Sequence, residues 1–315
     1  MTFMMPYSGP ARDFIGYAGD VFDPKWPGNK RLAVQFVINY EEGGESCVLD
    51  GDATSEHLLS DLIGATPVVG GRYLNIESLY EYGSRAGFWR LHRLFTERKV
   101  PVTVYAVGLA LEKNPAAARA MISAGWEIAS HGYRWINYQQ VDEATEREHI
   151  RKTIAVHECI VGKRPVGLYQ GTPTLRTRRL VVEEGGFLYD SDAYNDDLPY
   201  WSLDYGRPHL IIPYTLVNND MKFVALHGFS CGEQFFSQLK DAFDVLLAEG
   251  RAGRPKMMSI GLHCRVVAHP GRFASLVRFL DYIEQFETDI WICRREDIAR
   301  HWYKHHYPTV APAKL

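Results

Sequence analysis

The stretch Leu32–Glu45, LAVQFVINYEEGGE, decides how this chain is read. Its opening run, LAVQFVI, is apolar except for Gln35 and suits a buried strand. The run then stops at two adjacent carboxylates, Glu41 and Glu42, followed by two glycines. Taken alone, such a pair reads as a solvated turn. Yet glutamate is depleted in strands, and neighbouring side chains on a strand point to opposite faces. One of the two carboxylates is therefore expected to face whatever the strand end encloses.

Outward from this strand the pattern alternates. A strand is expected over Arg31–Asn39 and a helix over about Tyr80–Lys99, where Phe88, Leu91, Leu94 and Phe95 recur at helical spacing. Pro101 opens the strand VTVYAV. Asn114-Pro115 reads as an N-cap and first helical proline, and Gly125 closes that helix. WEIAS is the next strand. Asp142 caps a helix to about Val161, and VGLY, a helix near Thr177–Glu184, and FLYDSD follow. HLIIPYTL and MKFVALHG read as two further strands. A helix over about Glu233–Glu249 leads to the strand KMMSIGLH, a helix over Phe273–Phe286, the strand IWIC and a closing helix over Glu296–Lys304.

Strands alternating with helices imply parallel strands joined by crossover helices. About seven such units favour an α/β barrel over an open doubly wound sheet, whose GxGxxG or GxxxxGK[ST] loop is absent. A single catalytic domain over residues 1–315 is expected, with residues 1–13 and 308–315 loosely held.

Composition narrows the partners. The formal charge is −3 over 315 residues, too weak a field for nucleic acid or anionic lipid. No apolar run approaches the ~20 residues that span a bilayer. The opening MTFMMPYSGPARDF lacks a basic start and apolar core, so a cytoplasmic protein is the expectation. The five cysteines form no CxxC pair, which argues against a disulfide framework and a zinc knuckle.

In α/β barrels reactive groups stand at the carboxyl ends of strands. Here Tyr40-Glu41-Glu42 follows the first strand, and His131-Gly-Tyr133-Arg-Trp135 follows WEIAS. Tyr169-Gln170-Gly171 follows VGL, Asp190 to Trp201 follows FLY, and His263-Cys-Arg265 follows MMSIGL. Each has an ordinary reading: His131 as a hydrogen-bonded structural histidine, Asp196-Asp197 as a turn or cap. Five polar groups at the same relative position are a stronger signal than any one. His301, His305 and His306 fall on the last helix or tail and read as surface.

These motifs resemble the polysaccharide deacetylase superfamily, the NodB-homology fold. YEEG falls where that family has paired aspartates, one a base and one a metal ligand. HGYRW falls on its His-x-x-x-His metal pair, and LHCR on its late general-acid histidine. The longer phrases VINYEEGGE, ESLYEYGSRAGFWRL, SHGYRWINYQ, IPYTLVNNDM and EQFFSQLKDAFDVL are similar to the metal-independent allantoinase branch. The resemblance runs from about Phe14 to Trp302. It departs at Leu168–Leu180, LYQGTPTLRTRRL, a strand-end loop expected to touch substrate.

The resemblance implies a distorted (β/α)7 barrel and a hydrolase of a small cyclic amide, most closely allantoin to allantoate. The alternatives it leaves are a hydrolase of another hydantoin or cyclic imide, a carbohydrate N-deacetylase, and an inactive barrel that only binds a ureide. A transition metal needs converging carboxylate and imidazole ligands. Trp135 stands at the second histidine position, and an indole N–H only donates. No metal and no cofactor are therefore expected. The implied roles are Glu41, with Glu42, as general base; His131 as its partner; and His263 as acid on the leaving nitrogen. Arg265 and Tyr169 are expected to bind ureide oxygen or the oxyanion. Tyr133, Trp135, Asp196 and Trp201 are expected to shape the pocket. The expected partner is a small ureide or cyclic amide, and a homo-oligomer follows from the resemblance alone.

Overall fold

The structure, a computed structural model, describes residues 9–309. The expectation for the two chain ends falls partly outside that range. In chain order the elements are β1 (Leu32–Tyr40), α1 (Leu74–Tyr82), a π turn (Gly83–Gly87), α2 (Phe88–Glu97), β2 (Val102–Ala106), α3 (Gly108–Lys113), α4 (Pro115–Ser123) and β3 (Glu127–Ser130). Then come α5 (Glu143–Ile160), β4 (Gly167–Leu168), α6 (Thr177–Glu184), β5 (Tyr189–Asp190), β6 (Tyr200–Ser202) and β7 (His209–Ile211). A 3-10 turn (Asp220–Val224), α7 (Gly232–Arg251), β8 (Lys256–His263), α8 (Pro270–Ile283), β9 (Ile290–Ile292) and α9 (Arg295–His305) complete it.

Among the described residues these strands form one curled sheet in the order β6-β7-β5-β4-β3-β2-β1-β8, with β9 beside the first half of β1. Every pair is parallel except β6 with β7. The sheet curls into the distorted barrel that the strand–helix alternation implies. Its open edge at β8 is met by a loop rather than a strand: Gly261 N–H donates to the Asn218 carbonyl, and Met257 N–H to that of Asp197.

Alternation along the strands sorts the side chains. Leu32, Val34, Phe36, Ile38 and Tyr40 of β1 pack outward under the helices, in a core shared with Leu91, Phe95, Phe243 and Phe279. Val37 turns inward with Tyr105, Ala129, Tyr169 and Tyr214. The same parity carries Glu41 inward at the strand end. The barrel interior also holds Arg295, whose guanidinium donates to Ser191, Ser259 and the Ile212 and Pro213 carbonyls. That satisfies a buried charge which α9 delivers into the sheet.

Three expectations are corrected. MKFVALHG is not a strand: its first half is the 3-10 turn, capped by the Asn219 side chain on Met221 N–H. Phe223 and Val224 are buried while Leu226 is exposed, and the turn keeps Asp220 pointing at β8. His301 is not surface either. It is buried, hydrogen-bonded to the Pro24 carbonyl and packed on Trp26. The helix expected from Tyr80 starts earlier, at Leu74, and turns through the π segment before continuing. No helix among the described residues is long and apolar enough to cross a membrane.

Candidate active site

β3, β2, β1 and β8 are consecutive in the sheet and end on one face. The pairing of Asn39 with His263 brings the residues after β1 against the end of β8. His131 follows β3, and its backbone N–H donates to the carbonyl of Ala106 at the end of β2. Residues far apart in sequence thus converge because parallel strands all present their carboxyl ends on one face.

Glu41 is the centre. Its Oε1 lies 3.2 Å from His131 Nε2 and 3.5 Å from His263 Nε2. Its Oε2 lies 2.7 Å from Arg265 Nη2, in an ion pair that lacks hydrogen-bond alignment. Burial works against the charged carboxylate, but Arg265, His263 and the His131 contact outweigh it and hold Glu41 well below the usual carboxylate range. Glu42 faces the other side of Arg265, with Oε1 3.4 Å from Nη1. Burial raises its carboxyl; Arg265 opposes the rise and Glu41 adds to it. The two glutamates thus differ in charge tendency although they are adjacent.

Each imidazole is oriented from behind. His131 Nδ1 sits 2.7 Å from the Tyr169 carbonyl, which can only accept, so Nδ1 carries a proton and Nε2 is the ring nitrogen that faces Glu41 Oε1. His263 Nδ1 lies 2.6 Å from Asp220 Oδ1, while Asp220 Oδ2 accepts the N–H groups of His263 and Val267. Burial disfavours the imidazolium, yet the Asp220 and Glu41 carboxylates overcome it and raise His263 to about 9. His263 is therefore cationic at neutral pH, as a proton donor must be.

Arg265 is fixed by three contacts. Its Nε donates to the Leu59 carbonyl at 2.9 Å, and its guanidinium lies 4.0 Å over the Tyr80 ring and 5.5 Å from Trp135. Glu41, Glu42, His131, His263 and Arg265 each expose at most 4% of their surface, so their charges stand out of bulk water.

The structure thus brings together Glu41, Glu42, His131, His263, Arg265, Tyr169 and Trp135. Tyr169 contributes its carbonyl and its ring face beside His131; its hydroxyl is bonded to Tyr194. Three expected pocket residues lie elsewhere. Tyr133 turns outward, its hydroxyl on Glu112 and its ring under Lys152, because the strand has ended and the left-handed Gly132 (φ +72°) breaks the alternation after His131. Asp196 caps the turn before Leu198, beside the start of β8 and so at the far end of that strand from His263. Trp201 donates to the His306 carbonyl and packs on Tyr303 of α9. Most of the loop expected to touch substrate is anchored instead: Thr174, Arg176 and Thr177 all bind the buried Glu146. Only Tyr169 to Gly171 approaches His131.

Asp220 is the residue that sequence reading missed. It stands in the polar stretch Asn218-Asn219-Asp220, between two segments read as strands, and nothing local sets it apart from a turn. The fit of a divalent cation is poor. The third ligand position is an indole, and a guanidinium already stands at the carboxylate a metal would use. No group of three or more His, Cys, Asp or Glu side chains placed to hold a metal occurs among the described residues.

Several known proteins are similar to this chain. The family model described as polysaccharide deacetylase matches residues 75–181. A protein of Schizosaccharomyces pombe named putative polysaccharide deacetylase is 44% identical, over 94% of this chain and 98% of its own. The structure of a probable polysaccharide deacetylase from Pseudomonas aeruginosa PAO1 is 57% identical, with TM-score 0.91, over 94% of this chain and 98% of that one. The structure of the allantoinase PuuE is 54% identical, with TM-score 0.93, over 95% and 99%. Fold and likeness along nearly the whole length agree: this chain belongs to the polysaccharide deacetylase family of hydrolases.

Proposed function

We propose that this chain opens a small cyclic amide ring, with allantoin as substrate and allantoate as product, using side-chain acids and bases alone. The observation that carries the reading is Glu41 Oε1 held between the Nε2 atoms of His131 and His263. A water beside Glu41 gives a proton to the Glu41–His131 pair while its oxygen bonds to the ring carbonyl carbon. The carbonyl electron pair moves onto oxygen, and Arg265 supplies the charge that meets it. Return of that pair breaks the ring C–N bond, and His263 Nε2 protonates the departing nitrogen. A strained ring carbonyl is easier to hydrolyse than an ordinary amide, which relaxes the need for a Lewis acid.

Burial of all five side chains supports a small flat substrate over a long glycan. Likeness to the allantoinase PuuE supports the same choice. The names of the other relatives favour a sugar N-deacetylase, and one experiment separates the two. Purified protein is offered allantoin and an acetylated chito-oligosaccharide, with metal content measured on the same sample. The expected result is allantoate formation that chelator leaves unchanged. Glu41→Gln and His263→Ala should each lower turnover by ~10²–10⁴. Zinc-dependent release of acetate, with allantoin untouched, would overturn the reading.

A further inference from the structure

Asp192 lies outside the cluster just described, yet its carboxylate grips the loop that sets His131. Its Oδ2 accepts the Gln170 N–H and its Oδ1 the Gly171 N–H, both at 2.8 Å. Those two amides directly follow Tyr169, whose carbonyl takes the His131 Nδ1 proton at 2.7 Å. The loop has no slack there: a Cβ on Gly171 would stand 3.3 Å from His131 Cε1, and Gly171 has φ +80°. Asp192 is anchored in turn. Its N–H donates to Asp190 Oδ1, and Arg178 forks onto Asp190 while donating to the Asp192 carbonyl. His209 Nε2 holds the remaining side of Asp190 at 2.9 Å.

We propose that Asp192 is a positioning residue for His131: by fixing the Gln170 and Gly171 amides it holds the Tyr169 carbonyl that selects the imidazole tautomer facing Glu41. The proposal rests on the hydrolytic reading above for its kinetic consequence, but not for its structural one. A carboxylate accepts both amides equally; once protonated, one oxygen becomes a donor and one amide loses its partner. Burial, then the neighbouring Asp190, raises this carboxyl to about 7, although the two amides and Arg178 oppose the rise. The other ionisable groups facing it are the phenols of Tyr105, Tyr169 and Tyr194. The clamp therefore loosens as pH falls through neutrality.

Two measurements test it. Ring nitrogen NMR of the whole protein should show His131 in one Nδ1-protonated tautomer above neutral pH, and a mixture once pH falls through the Asp192 titration. Asp192→Asn should show the mixture at all pH values. In cyclic amide hydrolysis the same variant should lose about 10–100-fold in kcat. Its KM should stay within about twofold, and the acid limb of kcat should flatten between about pH 6 and 8. A single His131 tautomer in wild type across that range would overturn the proposal, as would an unchanged kcat and acid limb in the variant. If the protein opens no ring at all, the hydrolytic reading fails while the NMR arm still decides this one.

Discussion

At the residue scale the question is how adjacent carboxylates at one strand end come to differ. Strand parity aims Glu41 at two imidazoles and Arg265, while Glu42 meets the far side of the guanidinium and no imidazole. His263 shows the complementary case, an imidazole held charged by two carboxylates against burial. As a general acid it must be protonated, so turnover should fall as pH rises through about 9. Asp220→Asn removes one of the two carboxylates. The alkaline limb should then move to lower pH, and kcat should drop about 10–100-fold, read from a pH–rate profile. An alkaline limb that stays in place would count against the Asp220–His263 pair. Arg265→Lys keeps a charge but loses the fork that spans Glu41 and Glu42. It should weaken turnover while leaving the fold intact by circular dichroism.

At the element scale the helical run from Leu74 to Glu97 approaches the site through its π turn, a feature common where helices border function. Gly83 and Gly87 make that approach fit. A Cβ on Gly83 would meet Glu42 Oε1 at 2.4 Å and its Cγ at 2.8 Å; on Gly87 it would meet the Cys264 carbonyl at 2.0 Å. Gly83→Ala should cost about 1–3 kcal/mol by overpacking and lower kcat because Glu42 is what yields. Urea denaturation and the assay together check both. The start of α4 joins the same region. Asn114 caps Ala117 N–H and donates to Tyr40 Oη and Ser84 Oγ. Asn114→Ala should cost about 1 kcal/mol in thermal unfolding.

For the whole molecule, His157 on α5 is fully buried with no hydrogen bond to either ring nitrogen. Burial lowers it to about 3, so the folded protein keeps it neutral where the unfolded chain protonates it. The sign follows from linkage: the unfolded state binds the extra proton, and stability falls as pH drops below the ordinary histidine value of about 6.5. This group alone should cost about 1.4 kcal/mol per pH unit over that window. His157→Leu should flatten the slope between pH 6 and 5 in urea unfolding; an unchanged slope would assign acid sensitivity to other groups. His263 acts oppositely, its contribution being full below about 6.5 and lost as pH rises through about 9.

Local physics was enough for much of this protein. Alternation of apolar runs placed β1 and β8, Asn114-Pro115 and Asp142 marked their helices, and strand-end polarity pointed to Glu41, His131, His263 and Arg265. A strand's carboxyl end and its inward parity are properties of a few neighbouring residues, so they are written in the sequence. What the fold alone decided was partnership. Asp220, Asp192, Tyr80 and Leu59 act on the site from distant segments, and Tyr133, Asp196 and Trp201, though close in sequence to strand ends, turn to other neighbours. Contacts between remote segments depend on how the sheet curls and where its open edge closes, and that is set by packing across the whole barrel rather than by any one stretch.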